Sequence, residues 1–268
     1  MRELNNNNIC DPITAKYLAV EIKNLTKKFK DNKIAVNNVS FSVEKGEIFG
    51  FLGPNGAGKT TILKILTTIL KPTSGTILIE NIDVTKEPLK ARMQFGYVSQ
   101  EVSVDEMLTA RENLYLQAKY YHLNKYINTK LENILKHVDL VDSADKVVST
   151  YSGGMKKRID IACALVNAPK ILFLDEPTLG LDVQTRKEIW KYINVLNKEY
   201  EMTVFLTTHY LEEADSICDR IAIIDKGEVK IIDTPRKLKT SVGSGVGTTL
   251  DAVYLKYTGK NFRETSDD

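Results

Sequence analysis

An α/β fold, its sheet core interrupted by a helical stretch, is the class this sequence predicts. Three observations predict it. Short strand-like runs recur in the first and last thirds of the chain, helical patterns separate them, and the runs in the last third are continuously apolar, as in strands covered on both faces. In order, residues 18–22 and 39–43 alternate apolar with polar side chains and read as half-buried strands. Residues 47–52 form a further strand that runs into Gly53. Residues 60–70 read as a helix, with Ile62, Leu63, Ile65, Leu66, Ile69 and Leu70 apolar and Pro72 and Gly75 ending it. Residues 76–80 are strand. From 102 to about 150 strand signals fade and polar helical patterns with several tyrosines take over, which predicts a helical sub-domain over about 102–164. The runs 171–174 and 203–206 are the continuous ones, and 221–229 reads as a hairpin turning at Lys226-Gly227.

Composition narrows the setting. A chain of 268 residues that is 43% hydrophobic and 27% charged can bury a core without disulfides. Its 37 basic and 35 acidic residues nearly cancel, so no nucleic-acid partner is expected. Cys10, Cys163 and Cys218 have neither metal nor redox spacing, which fits a reduced, cytoplasmic setting. No apolar run is long enough to span a bilayer, so any membrane role has to come through another chain. Residues 1–15 are polar, with Asn5, Asn6, Asn7 and Asn8 in a row, and are expected to be a disordered lead rather than a signal peptide.

Gly53-Pro54-Asn55-Gly56-Ala57-Gly58-Lys59-Thr60 matches the phosphate-binding pattern G-x-x-x-x-G-K-[ST], between a strand and a helix as that pattern requires. Glycines let backbone amides converge on phosphate, and the helix start adds a favourable dipole. Lys59 should reach the β- and γ-phosphates of ATP, the Thr60 hydroxyl should ligate Mg²⁺, and Thr61 adds a further contact in the same turn. Asp175 and Glu176 follow the apolar run 171–174, at the strand end where open α/β sheets bind ligands. Two adjacent acids there are costly without a cation or a proton to handle. Asp175 is therefore assigned to Mg²⁺, through its water, and Glu176 to the attacking water as general base.

Tyr151-Ser152-Gly153-Gly154-Met155 lies between the P-loop and these acids, at the start of a helical pattern. That order of motifs resembles the ATP-binding-cassette (ABC) ATPase family over about residues 17–234. The family motif is usually Leu-Ser-Gly-Gly-Gln, so Tyr151 and Met155 depart from it while Ser152, Gly153 and Gly154 remain. The resemblance implies a P-loop NTPase (RecA-like) core with an N-terminal antiparallel β region and an inserted helical sub-domain, together spanning 16–240. A linker and short tail over 241–268 would follow. It also implies roles. Gln100 is similar to the glutamine that senses Mg²⁺ and water, and residues 180–182 to the loop that crosses a dimer interface. His209 is similar to the switch histidine on the γ-phosphate, and Phe29 to the aromatic residue stacked on adenine. Ser152, Gly153 and Gly154 would bind ATP held by a second ATPase subunit.

Residues 151–162 and 250–259 are more narrowly similar to the drug-resistance and ABC-2-type export branch. That implies an ATP-hydrolysing, membrane-peripheral subunit working through a separate permease. The permease would dock between residues 100 and 121, with Val102, Val104, Met107 and Leu108 as anchors and Glu101 and Glu106 nearby. Soluble relatives acting on ribosomes usually carry two cassettes and those acting on DNA carry long coiled-coil insertions; one P-loop and a compact insertion fit neither.

Overall fold

The computed structural model describes residues 17–123, 127–243 and 248–259. The lead expected over 1–15 lies outside the described residues, as does part of the expected linker. The chain begins with the long strands β1 (Leu18–Lys28) and β2 (Ile34–Glu44), then β3 (Ile48–Leu52) and helix α1 (Lys59–Leu66). It continues through β4 (Ser74–Ile79), β5 (Ile82–Asp83), α2 (Pro88–Arg92) and β6 (Phe95–Val98). Three helices follow, α3 (Ala110–Tyr120), α4 (Ile127–His137) and α5 (Gly153–Ala164). The chain then returns to β7 (Ile171–Asp175), α6 (Val183–Tyr200), β8 (Thr203–Thr208), α7 (Leu211–Ile217), β9 (Arg220–Asp225) and β10 (Glu228–Asp233). Helices α8 (Pro235–Thr240) and α9 (Leu250–Thr258) are the last elements described.

The strands make two sheets, a four-stranded one in the order β2-β1-β4-β5 and a six-stranded one in the order β10-β9-β3-β8-β7-β6. The first is antiparallel throughout. The second is parallel except for β10, which pairs antiparallel with β9 across the turn at Lys226-Gly227.

The continuously apolar runs now have their reason. In β3, Phe49 and Phe51 face the antiparallel sheet while Ile48 and Leu52 face the opposite layer of helices. β7 splits the same way, with Ile171 and Phe173 on one side and Leu172 and Leu174 on the other. Side chains alternate faces along a strand, so a strand with a core on each side needs an apolar residue at every position. Between the sheets Phe41 stacks on Phe49 at 5.4 Å between ring centres, and Phe205 stacks on both Phe49 and Phe51 at 5.7 Å.

On the opposite face α3, α4 and α5 pack on one another, and α5 also meets β6 and α6. Helix α3 opens with a capping box, Thr109 accepting from the Glu112 amide while Glu112 bonds back to Thr109.

Two expectations need correction. The helix expected to reach residue 70 stops at Leu66. Thr67 turns its hydroxyl onto the Leu63 carbonyl and Thr68 takes a left-handed φ of 62°, which ends the α-helical ladder before Pro72 is reached. In the segment expected to be linker and tail, α9 instead packs against α7, α8 and β10, with Leu250, Val253 and Tyr254 buried.

Candidate functional site

The C-terminal ends of β3, β7 and β8 meet at one edge of the six-stranded sheet. The chain leaves β3 through Gly53, where a Cβ would come within 2.4 Å of the Ile224 carbonyl oxygen. It enters α1 through Gly58, whose φ of +108° and 2.5 Å approach to the Ala35 oxygen admit only glycine. No side chain caps α1. Its first-turn amides therefore carry no internal partner and suit an anion. They open onto a cleft of about 1020 Å³ lined by Phe29, Pro54, Asn55, Gly56, Gly58, Lys59, Thr60, Thr61, Gln100 and Glu176. Lys33 and Lys226 add positive charge to the same cleft, and the Lys27 ammonium lies 5.3 Å from the Phe29 ring centre. Gly53 and Ala57 shape the loop from behind.

The polar groups on the sheet edge are mutually bonded. Lys59 is 4% exposed and donates to the Gly53 carbonyl at 2.7 Å and the Pro54 carbonyl at 3.1 Å, with Glu176 Oε1 at 3.2 Å. Burial holds its ammonium below the usual lysine range, against the pull of Glu176. Asp175 Oδ1 accepts from the Thr207 hydroxyl at 2.6 Å and from the Thr60 hydroxyl at 3.3 Å. Burial raises the Asp175 carboxyl above its usual range and outweighs those two bonds. Glu176 goes the other way. Burial pushes it up, but the His209 hydrogen bond and the Lys59 charge outweigh that and leave it below the usual range. His209 Nδ1 sits 2.9 Å from Glu176 Oε2.

The structure thus brings Lys59, Thr60, Asp175, Glu176 and His209 into one bonded group, with Gln100 and Phe29 on the adjoining cleft. It does not bring Ser152, Gly153 and Gly154 there. Ser152 caps α5, its hydroxyl accepting from the Met155 amide at 3.2 Å. Gly153 and Gly154 lie instead against Leu181 and Thr185, at the start of α6. Sequence reasoning missed Thr207, which bonds Asp175 and also accepts from the Glu176 amide at 3.1 Å. The available signal was a pair of threonines, Thr207 and Thr208, directly after the apolar run 204–206 of a buried strand.

A strand, a P-loop and a helix, with an adjacent pair of acids on a parallel strand of the same sheet, define a nucleoside-triphosphate-binding ATPase class. Within that class, the family model described as ABC transporter matches residues 36–179, and the chain belongs to that family.

It is 39% identical over 236 residues to the daunorubicin resistance ATP-binding protein DrrA3 of Streptomyces coeruleorubidus, covering 88% of this chain and 73% of that one. It is 42% identical over 218 residues to the linearmycin resistance ATP-binding protein LnrL of Bacillus subtilis, covering 81% and 70%. The doxorubicin resistance ATP-binding protein DrrA of Mycobacterium tuberculosis is 42% identical over 228 residues, covering 84% and 69%. The resemblance to the drug-resistance branch is thereby borne out.

Among solved structures, CbiO1 of Clostridium perfringens, part of an ABC transporter complex, superposes with a TM-score of 0.78 at 30% identity, covering 83% and 90% of the two chains. The cassette MJ0796, solved as a dimer with ADP and Pi, gives 0.72 at 31% identity, covering 80% and 98%.

Proposed function

We propose that this chain is the ATP-hydrolysing subunit of an exporter, acting at the cytoplasmic face of a membrane through a separate permease. The observation that carries this reading is the bonded group at the sheet edge, with the Thr60 hydroxyl 3.3 Å from Asp175 and Glu176 between Lys59 and His209. Adenine stacks on Phe29, which is 40% exposed at the cleft. Phosphates take the amides of the loop and of the α1 first turn, including Thr61, and the Lys59 ammonium turns to them from the Gly53 and Pro54 carbonyls. Thr60, Asp175 and Gln100 present only oxygen donors here, with a single carboxylate, which suits a Mg²⁺ that keeps several waters and shares the phosphates. A Mg²⁺ held by these residues would supply charge neutralisation to the phosphates.

Glu176 is the proton acceptor for the attacking water. Its depressed pKa keeps it ionised at neutral pH, and His209 orients its second oxygen. Ser152, Gly153 and Gly154, remote from the cleft of their own chain, complete the site of a second ATPase subunit from across a two-fold interface.

Two substitutions test the chemistry. Glu176→Gln should keep nucleotide affinity and slow hydrolysis by about 10²-fold or more, because it removes the acceptor and keeps the shape. Lys59→Ala should weaken ATP binding itself. Titration and steady-state hydrolysis decide, and a Gln variant that turns over at the normal rate removes Glu176 from the mechanism.

In this reading the permease docks at a groove of about 440 Å³ between β6, α3 and α5, lined by Tyr97, Val104, Leu116, Tyr120, Tyr121 and Asp160 among others. Of the four anchors expected from sequence, only Val104 lines it. Met107 is 80% exposed elsewhere, and Glu106 is paired with Lys156 at 2.8 Å, so reversing its charge would also break a bond within the helical layer.

A further inference from the structure

Gln100 faces the nucleotide cleft, but its backbone is held from behind. The Lys157 ammonium, on α5, donates to the carbonyls of Ser99 at 3.1 Å and of Gln100 itself at 3.2 Å. One turn along α5, Asp160 Oδ1 accepts from the Ser103 hydroxyl at 2.7 Å and the Ser103 amide at 3.3 Å. Both side chains are buried, Lys157 at 4% and Asp160 at 2% exposure.

Their direct contact is loose, 3.6 Å from Nζ to Oδ2, and Oδ2 accepts no hydrogen bond. Two charges taken out of water need close partners. Here those partners are supplied mainly by the segment 99–103 rather than by each other. Releasing that segment would strip a buried ammonium of two acceptors and a buried carboxylate of two donors, so the segment is bound to α5. The helix that does this is the one that begins at Gly153, immediately after Ser152. Burial also depresses the Lys157 ammonium and raises the Asp160 carboxyl, the response expected of charges whose mutual pairing is incomplete.

We propose that Lys157 and Asp160 are positioning residues for Gln100: they lock its backbone to α5, so that the placement of Gln100 in the chain's own nucleotide cleft follows the helix whose N-terminus meets the nucleotide of the second subunit. The proposal rests on the role given to Gln100 above. It adds that this role is set from α5, through a charged pair that does not line the nucleotide cleft. A shift of the Gln100 backbone by a fraction of an ångström would alter water and cation alignment while leaving the phosphate cradle of 53–61 in place.

The test uses the full chain in four forms: unchanged, Gln100→Ala, Lys157→Met/Asp160→Leu, and all three substitutions together. Removing both charges at once avoids leaving one buried and unpaired, and the thermal midpoint of each form is measured to establish folding. The charge-free pair variant should bind ATP within about twofold of the unchanged chain and hydrolyse it about ten- to a hundredfold more slowly, the loss falling on kcat and not on KM. In the Gln100→Ala background the same pair of substitutions should cost no further rate, because the group they position is gone. A purely structural role predicts the same fold-loss in both backgrounds, and that result, or a pair variant with unchanged kcat, overturns the proposal. If Gln100→Ala itself hydrolyses at the normal rate, the role of Gln100 falls and this inference with it. A slow Gln100→Ala beside a normal pair variant sinks the inference alone. If the pair variant does not fold, Lys157→Met and Asp160→Asn singly, carried through the same cycle, give the same decision.

Discussion

Glu176 holds a left-handed backbone, φ +48°, that a side chain other than glycine adopts only at a cost of about 1 kcal/mol or more. The neighbouring strand sustains it. Thr207 accepts from the Glu176 amide through both its carbonyl and its hydroxyl, and the same hydroxyl donates to Asp175. Thr207→Val keeps the shape and removes the hydroxyl. It should destabilise the fold by about 1–3 kcal/mol, since the buried Asp175 loses its shortest bond, and should slow hydrolysis more than it weakens ATP binding. Urea unfolding and a rate-against-affinity comparison measure both, and a variant with unchanged stability and rate would show that Thr207 only fills space. The sign of the pH effect at Glu176 follows from its depressed pKa. Its carboxylate contributes stability at neutral pH, and that contribution is lost as pH falls through the folded value, below the ordinary 4.5. Glu176→Gln should therefore flatten that part of the acid limb of a stability–pH curve.

At the level of elements, α9 shows how a short helix becomes part of the core. Tyr254 is fully buried, and Leu250 and Val253 beside it complete an apolar face against α7, α8 and β10. Tyr254→Ala should cost about 3–5 kcal/mol, the range for deleting a large buried aromatic side chain. Chemical denaturation of the full chain checks this; a cost under about 1 kcal/mol would mean that α9 detaches without consequence. Helix α1 is short for a different reason. Its start is set by Gly58 and its end by Thr68, both in left-handed backbone.

At the scale of the whole molecule, the phosphate loop and Ser152 to Gly154 lie apart. The P-loop cleft lies at one sheet edge, and Ser152 to Gly154 lie beside the start of α6, outside that cleft. Two chains related by a two-fold axis would bring the loop of each to Ser152 to Gly154 of the other. Light scattering on the Glu176→Gln chain should therefore show a monomer without nucleotide and a dimer with ATP–Mg²⁺, since ATP persists in that variant. A chain that stays monomeric with ATP even beside its permease would sink the paired arrangement. The groove between β6, α3 and α5 gives the second prediction at this scale. Leu116 and Tyr120 line it at 40% and 70% exposure, and Leu116→Glu or Tyr120→Glu should reduce copurification with the permease and leave the isolated chain's hydrolysis intact. Normal copurification of both variants would place the docking surface elsewhere.

The class was legible in the residue order, and so was the meeting of Lys59, Thr60, Asp175 and Glu176 at one sheet edge. A phosphate loop is local in sequence, and its glycines, Lys59 and Thr60 take their geometry from one strand, one turn and one helix start. The apolar runs around Phe173 and Phe205 likewise announced strands buried on both faces, because that pattern depends only on side-chain alternation. Tertiary structure alone decided what lies far apart along the chain. Thr207 reaches Asp175 and Glu176 only because β8 pairs with β7, and Lys157 and Asp160 meet the Gln100 segment only because α5 packs against β6. Nothing in the spacing of those residues encodes such contacts. They arise from which faces the sheet and helices bury together, and that is settled only when the whole core closes.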